Sequence, residues 1–202
     1  MTETVELSCQ CGTLKGTVTR ENGKNLPHYF CYCDDCRAFA RHLGQEEQAL
    51  DCCGGVEVFH TVPANLVWTA GQEQLRCLKL KEKGALRWYS NCCQTPLCTV
   101  PPSEGFPFVS LNHTALADQD RKSELGPVLG RVQLKFALCA EDSEAFARIK
   151  SEEMSLLRLV GRIIGLMLGQ RFRGRKQTPF FSKGQPVSEP RLLSEEERKA
   201  VY

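Results

Sequence analysis

Nine of the 12 cysteines in this 202-residue chain fall into four tight groups: Cys9/Cys11, Cys31/Cys33/Cys36, Cys52/Cys53 and Cys92/Cys93. Such grouping constrains the fold more than any other feature. Thiols two or three residues apart can bend back onto one point, and pairs far apart in sequence can then be tied together there. Met1 to Leu7 alternates polar and apolar residues, with neither a basic start nor a signal-length apolar run, so a cytoplasmic location is expected. In a reducing compartment, clustered thiols point to metal rather than disulfides. Cys77, Cys98 and Cys139 stand alone among apolar neighbours and are most simply small buried hydrophobes.

The length suits one hydrophobic core with an appendage. With 26 basic and 24 acidic residues, the net charge of +2 offers no global attraction to nucleic acid, and none is expected as a partner. The best candidate for a membrane span, Leu156–Leu168, is short and holds Arg158 and Arg162, so no transmembrane segment is expected.

Strand-like alternation opens the chain, in Val5-Glu6-Leu7 and again where Leu14, Gly16 and Val18 face away from Lys15, Thr17 and Thr19. Between them Cys9-Gln10-Cys11-Gly12 predicts a tight turn that aims two sulfurs at one ion. Next, His28 to Phe30 predicts a strand that enters Cys31-Tyr32-Cys33-Asp34-Asp35-Cys36 and a short helix, Arg37 to Arg41. Three thiolates spaced this way can converge on one zinc, the first pair straddling a turn and the third returning at the helix start, whose positive end favours thiolates. Val56–His60 and Leu66–Thr69 predict strands, and Leu78 to Tyr89 a hairpin. The returning strand delivers Ser90-Asn91-Cys92-Cys93-Gln94-Thr95-Pro96, a pair able to close the site begun at Cys9 and Cys11.

Taken together, these three motifs resemble the glutathione-dependent formaldehyde-activating enzyme-like (GFA-like) proteins of Mss4-like fold, over roughly residues 5–117. The resemblance is closer to an uncharacterised branch with a Cys-Cys-x-Thr-Pro ending and a carboxy-terminal extension. It implies a mainly β protein, with zinc-bound antiparallel sheets and a helical extension. It also implies one or two zinc ions. Cys9, Cys11 and Cys93 would belong to a structural site, and Cys31, Cys33 and Cys36 to a second site with an open position where carbon–sulfur lyase chemistry on glutathione or other thiol adducts is attributed to the family. The chain departs from the pattern: Ser90 replaces the first cysteine of the final pair, Gln94 replaces a glycine, and Cys92 is extra. Cys92 is the favoured fourth ligand of the structural site, with water or an empty site as alternatives.

Zinc with three thiolates sums to −1, a weaker Lewis acid than zinc held by three neutral histidines, so hydrolysis is disfavoured and exchange of a sulfur ligand is favoured. His42, His113, Asp34 and Asp35 are the titratable candidates near the open position, with His42 as the weak catalytic candidate. A lone histidine is more often a satisfied structural residue. Cys52 and Cys53 could guard the site as redox-active thiols or form a loop pair without a role. The rival to an enzyme is a non-catalytic, zinc-stapled binding module.

The expected organisation is a zinc-binding β domain over 3–117 and an extension over 118–202. In the extension, Ala145, Phe146, Ile149, Leu156, Leu157, Val160, Ile163, Ile164 and Met167 recur at helical steps, which predicts an amphipathic helix over about 142–173. Docking on its own sheet is the simpler expectation; contact with an anionic membrane or a partner is the other, because the helix ends in Arg171-Phe172-Arg173-Gly174-Arg175-Lys176. Thr178–Pro190 is expected to lie extended over the core, and Ser194 to Glu197 to cap a last helix.

Overall fold

A computed structural model describes residues 3–20, 26–117, 126–172 and 177–202. The chain forms β1 (Glu3–Ser8), β2 (Lys15–Arg20), β3 (His28–Cys31), α1 (Asp34–His42) and the one-turn α2 (Glu46–Ala49). There follow β4 (Val56–Thr61), β5 (Leu66–Ala70), β6 (Leu75–Lys79), β7 (Leu86–Ser90), β8 (Pro96–Val100) and β9 (Val109–Asn112). Beyond residue 117 come β10 (Val128–Val132), α3 (Glu144–Ser151), α4 (Leu156–Phe172), β11 (Phe181–Ser182), β12 (Gln185–Pro186), β13 (Arg191–Leu192) and α5 (Glu195–Val201). The molecule is thus mainly β with helices toward its carboxy terminus.

Three strands, β1-β2-β5, make a small antiparallel sheet, and eight make a larger one in the order β10-β3-β4-β9-β8-β7-β6-β13. Inside the large sheet the neighbours are antiparallel, while β10 joins β3 and β13 joins β6 in parallel, so both edges come from the extension. Parallel neighbours need long crossovers, and an extension returning after residue 117 supplies them.

Leu7, Leu14, Val18, Trp68, Trp88, Leu97, Leu111 and Phe180 fill the main core between the sheets. Phe180 is completely buried against Trp88, ring centroids 5.3 Å apart, so the segment after α4 is laid into the core. A second cluster joins Ala38, Phe39 and Leu43 of α1 to Leu78 and Leu80 and, from the carboxy terminus, Leu193 and Val201. The capping box expected at Ser194 is present: its hydroxyl accepts from Glu197 N and the Glu197 carboxylate accepts from Ser194 N.

Two expectations need correction. The single helix over 142–173 is two helices, because Met154 N turns aside to donate to Arg131 O at 2.8 Å and Arg131 N to Glu152 O at 2.9 Å, stitching the break onto β10. And Cys139 is no packed hydrophobe: it forms a disulfide with Cys53, 86 residues earlier, the two Cα atoms 4.7 Å apart. Cys77 and Cys98, by contrast, are buried free thiols in the main core.

A candidate metal centre of two cysteine clusters

The first cluster is assembled by two turns. After β1, Gly12 at φ 75° lets the chain reverse, with Gly12 N donating to Cys9 O at 2.9 Å, so Cys9 and Cys11 point the same way. After β7, Gln94 takes the left-handed conformation at φ 57°, the position where the resembling pattern has glycine, and the turn closes through Gln94 N to Ser90 O at 2.9 Å. The main core holds the two turns against each other, and all four sulfurs of Cys9, Cys11, Cys92 and Cys93 lie within 4.8 Å of one another. Cys9 to Cys11 measures 3.5 Å, Cys9 to Cys92 3.7 Å, Cys11 to Cys92 3.3 Å and Cys92 to Cys93 3.9 Å. A tetrahedron of sulfurs around zinc has edges of about 3.8 Å, given Zn–S near 2.3 Å. The donor set therefore fits a four-coordinate zinc.

Hydroxyls surround the cluster. Ser90 Oγ is 3.3 Å and Thr95 Oγ1 3.0 Å from Cys93 Sγ, and Gln10 N donates to Thr95 Oγ1 at 3.0 Å. Burial pushes the Cys93 thiol up, but these two hydroxyls and Cys11 outweigh it and bring the thiol down to about 6. Cys92 moves the other way, pushed up to about 12 by burial and by its neighbours Cys11 and Cys9. Cys11 is lowered by hydrogen bonds with Thr13.

The second cluster sits where β3 runs into α1. Cys33 caps the helix, Asp34 and Asp35 occupy its first turn, and Cys36 N donates back to Cys33 O at 3.1 Å, returning the third sulfur to the first two. Cys31, Cys33 and Cys36 have their sulfurs within 4.8 Å of one another, Cys31 to Cys33 at 3.4 Å, and among the described residues no fourth cysteine, histidine or carboxylate joins the group. Hydrogen bonds from Cys31 and Cys33, and after them the charge of Arg87, hold Cys36 well below the usual thiol range. Cys31 is raised correspondingly, by the same hydrogen bonds and by burial.

Sheet register explains how Arg87 gets there. Opposite residues across the large sheet run His60↔Ser110, Ser110↔Thr99 and Thr99↔Arg87, a single cross-strand row. On β4, His60 shares a face with Val58, which opposes Tyr29, and with Val56, which opposes Cys31. Cys31, Tyr29, His60 and Arg87 therefore all lie on one face. Arg87 is only 5 % exposed, its Nη1 is 3.3 Å from Thr99 Oγ1, its Nη2 is 3.7 Å from Asp35 Oδ2, and its guanidinium stacks 5.6 Å from the Phe39 ring. A zinc with three thiolates carries −1, and a buried guanidinium beside it offsets that charge. His60 packs between Tyr29 and Phe108, at 4.6 and 4.8 Å, and burial brings it down to about 3 although the nearby Cys36 pulls it up.

The histidines singled out by sequence are placed differently. His42 Nε2 lies 3.2 Å from Arg191 Nη1, and burial followed by that cation lowers it. His113 sits between the carbonyls of Glu57 and Gln48, at 3.3 and 3.0 Å. Asp34 pairs with Arg37 inside α1, and Asp35 ties α1 to Lys81 and Tyr202, so both carboxylates already have partners. His60 and Arg87 went unnoticed in sequence. A two-residue step along β4 from the strand-like Val56 and Val58 was the available signal for His60; none existed for Arg87. Cys52, exposed, keeps a free thiol 4.0 Å from Cys53 Sγ.

Residues 1–191 match the pattern that defines a protein family described as a family of unknown function (DUF6151). No curated protein matches the chain. Among solved structures, the crystal structure of a Rhodobacter sphaeroides protein, a structural genomics target, is similar at 20% sequence identity over 61% of this chain and 96% of that one, with a TM-score of 0.40.

Proposed function

For a chain that belongs to the DUF6151 family, we propose a zinc protein in which one site is structural and the other binds a sulfur ligand. In this reading Cys9, Cys11, Cys92 and Cys93 hold the structural ion, and Cys31, Cys33 and Cys36 hold the second. One observation carries it: the first cluster offers four sulfurs, a complete tetrahedral set, while the second offers three and no fourth donor among the described residues. Complete sets are characteristic of structural zinc, and three-ligand sets of zinc that receives a guest. By joining turns that follow β1 and β7, the first ion would staple the small sheet to the large one.

Zinc at the second site would supply a position for a thiolate without hydrolytic power, since three thiolates already lower its charge. Arg87 offsets the resulting negative charge, and the Phe39 ring shields the guanidinium from water. The motif resemblance to GFA-like proteins extends the proposal to a carbon–sulfur lyase acting on a thiol adduct of a small molecule. Such cleavage returns a thiol and a carbonyl compound from one adduct, so no oxidant or reductant is required. No catalytic residue is assigned to that step.

Metal analysis tests the count: wild type should carry two zinc ions, and Cys33→Ser and Cys93→Ser about one each. Cobalt-substituted protein tests the open position. Adding a small thiol should change the absorption of the Cys31 site and leave that of the Cys93 site alone. A single ion in wild type, or no spectral response to thiols, would replace this reading with that of a zinc-stapled binding module.

A further inference from the structure

We propose that α4 is a membrane-surface helix that lays its outward face on an anionic lipid bilayer. The helix has two apolar stripes rather than one. Leu159 packs inward with Tyr29, Val58, Val132 and Met154, which fixes the helix on the protein. On the other side Leu157, Val160, Ile164 and Leu168, spaced at three- and four-residue steps, all stand in solvent, Leu157 at 86 % exposed. Phe106, 59 % exposed on the loop between β8 and β9, borders the same cleft as Ile164 and Leu168, so the apolar surface continues off the helix. A continuous exposed patch of this kind marks an interaction surface.

Charge selects the occupant. From Leu156 to Lys176 the sequence has no aspartate or glutamate and six cations: Arg158, Arg162, Arg171, Arg173, Arg175 and Lys176. Apolar side chains beside cations match the acyl boundary and the phosphate layer of an anionic membrane. Burial raises the Tyr29 hydroxyl, and the nearby Arg162 guanidinium only partly counters it; Arg162 therefore stands close to Tyr29, and Arg158 is the cation of the outer turns. Among the described residues, Glu104 is the one acid lining the cleft. No described helix is long and apolar enough to cross a membrane, so α4 lies on the bilayer and does not span it. A second copy of the chain is the competing occupant, because Gly161, Gly165 and Gly169 recur at four-residue steps with open space where each Cβ would stand. Pairing two such helices would bring arginines together with no acid on either to answer them, and this disfavours it.

The test uses full-length zinc-loaded protein and vesicles of phosphatidylcholine with about one phosphatidylserine in three lipids. The protein should sediment with these vesicles and not with pure phosphatidylcholine. Ile164→Glu should reduce binding by tenfold or more, and Arg158→Gln with Arg175→Gln by about tenfold. Circular dichroism and zinc content should be unchanged, since Leu157→Ser at the most exposed position gives the same loss without disturbing any packed residue. Failure to bind anionic vesicles, or equal binding to neutral ones, would overturn the proposal. So would loss of a concentration-dependent dimer in Ile164→Glu with vesicle binding intact, which would assign the face to a second copy.

Discussion

Ser90 Oγ stands 3.3 Å from Cys93 Sγ and accepts a hydrogen bond from Thr95 N at 3.1 Å. The residue found where a related pattern has a ligand thus braces the neighbouring thiol, while Cys92 brings its sulfur into the cluster. Removing the hydroxyl in Ser90→Ala takes away one of the two hydroxyls that, with Cys11, hold Cys93 toward its thiolate form. The expected loss is about tenfold in affinity at the first site, comparable to the removal of other groups that orient metal ligands. Competition against a chromophoric chelator measures it, and the Cys31 site should be unaffected.

Most of the cluster geometry was legible because it is local. Cys9 to Gly12 and Cys31 to Cys36 are turns whose spacing alone aims the sulfurs, and the hairpin from Leu75 to Ser90 returns the last pair to the same end. What was not legible depends on the packing of distant segments. Alternation along β7 puts Arg87 opposite Trp88, as if facing water; α1 and α5 cover that face and bury it. The Cys53–Cys139 bond joins segments brought together by Tyr32, Leu134 and Ile149, and no local spacing announces it. The break between α3 and α4 arises from hydrogen bonds with β10, whereas the apolar periodicity runs on through Met154.

Arg87 joins three charges: the Cys36 sulfur, Asp35 and its own. In Arg87→Met the side-chain volume is nearly kept while the cation is lost. Asp35 retains Lys81 and Tyr202, so the cost falls below that of a fully orphaned buried charge, about 2 kcal/mol. Urea unfolding of the zinc-loaded protein should show this as a lower midpoint with an unchanged slope. Zinc should also leave the second cluster at lower chelator concentration than in wild type, with the first cluster unchanged.

The bond between Cys53 and Cys139 closes a loop of 86 residues. Chain-entropy reasoning gives about 4.6 kcal/mol for a loop of that size, lost in Cys139→Ala. Unfolding should therefore differ between wild type and variant without reductant and coincide in a phosphine reductant. A variant matching wild type under both conditions would mean that the bond does not form in solution.

His60 gives the stability a definite pH dependence. Buried between Tyr29 and Phe108, it is held neutral down to about 3, whereas an unfolded chain protonates it near its ordinary value of 6.5. Between these two values the unfolded state binds the extra proton, so stability falls as pH falls, by up to about 1.4 kcal/mol per pH unit from this residue. Carboxylates held low in the fold, such as Asp35, act in the same direction at lower pH. The residue's own share is therefore read as a difference. His60→Leu should lose stability less steeply than wild type from about pH 6 to pH 4, with the two curves parallel above pH 7, where neither state binds the proton. Urea midpoints measured across that range, on chelator-treated samples of both proteins, isolate the effect; parallel curves below pH 6 would place His60 in water in the folded protein.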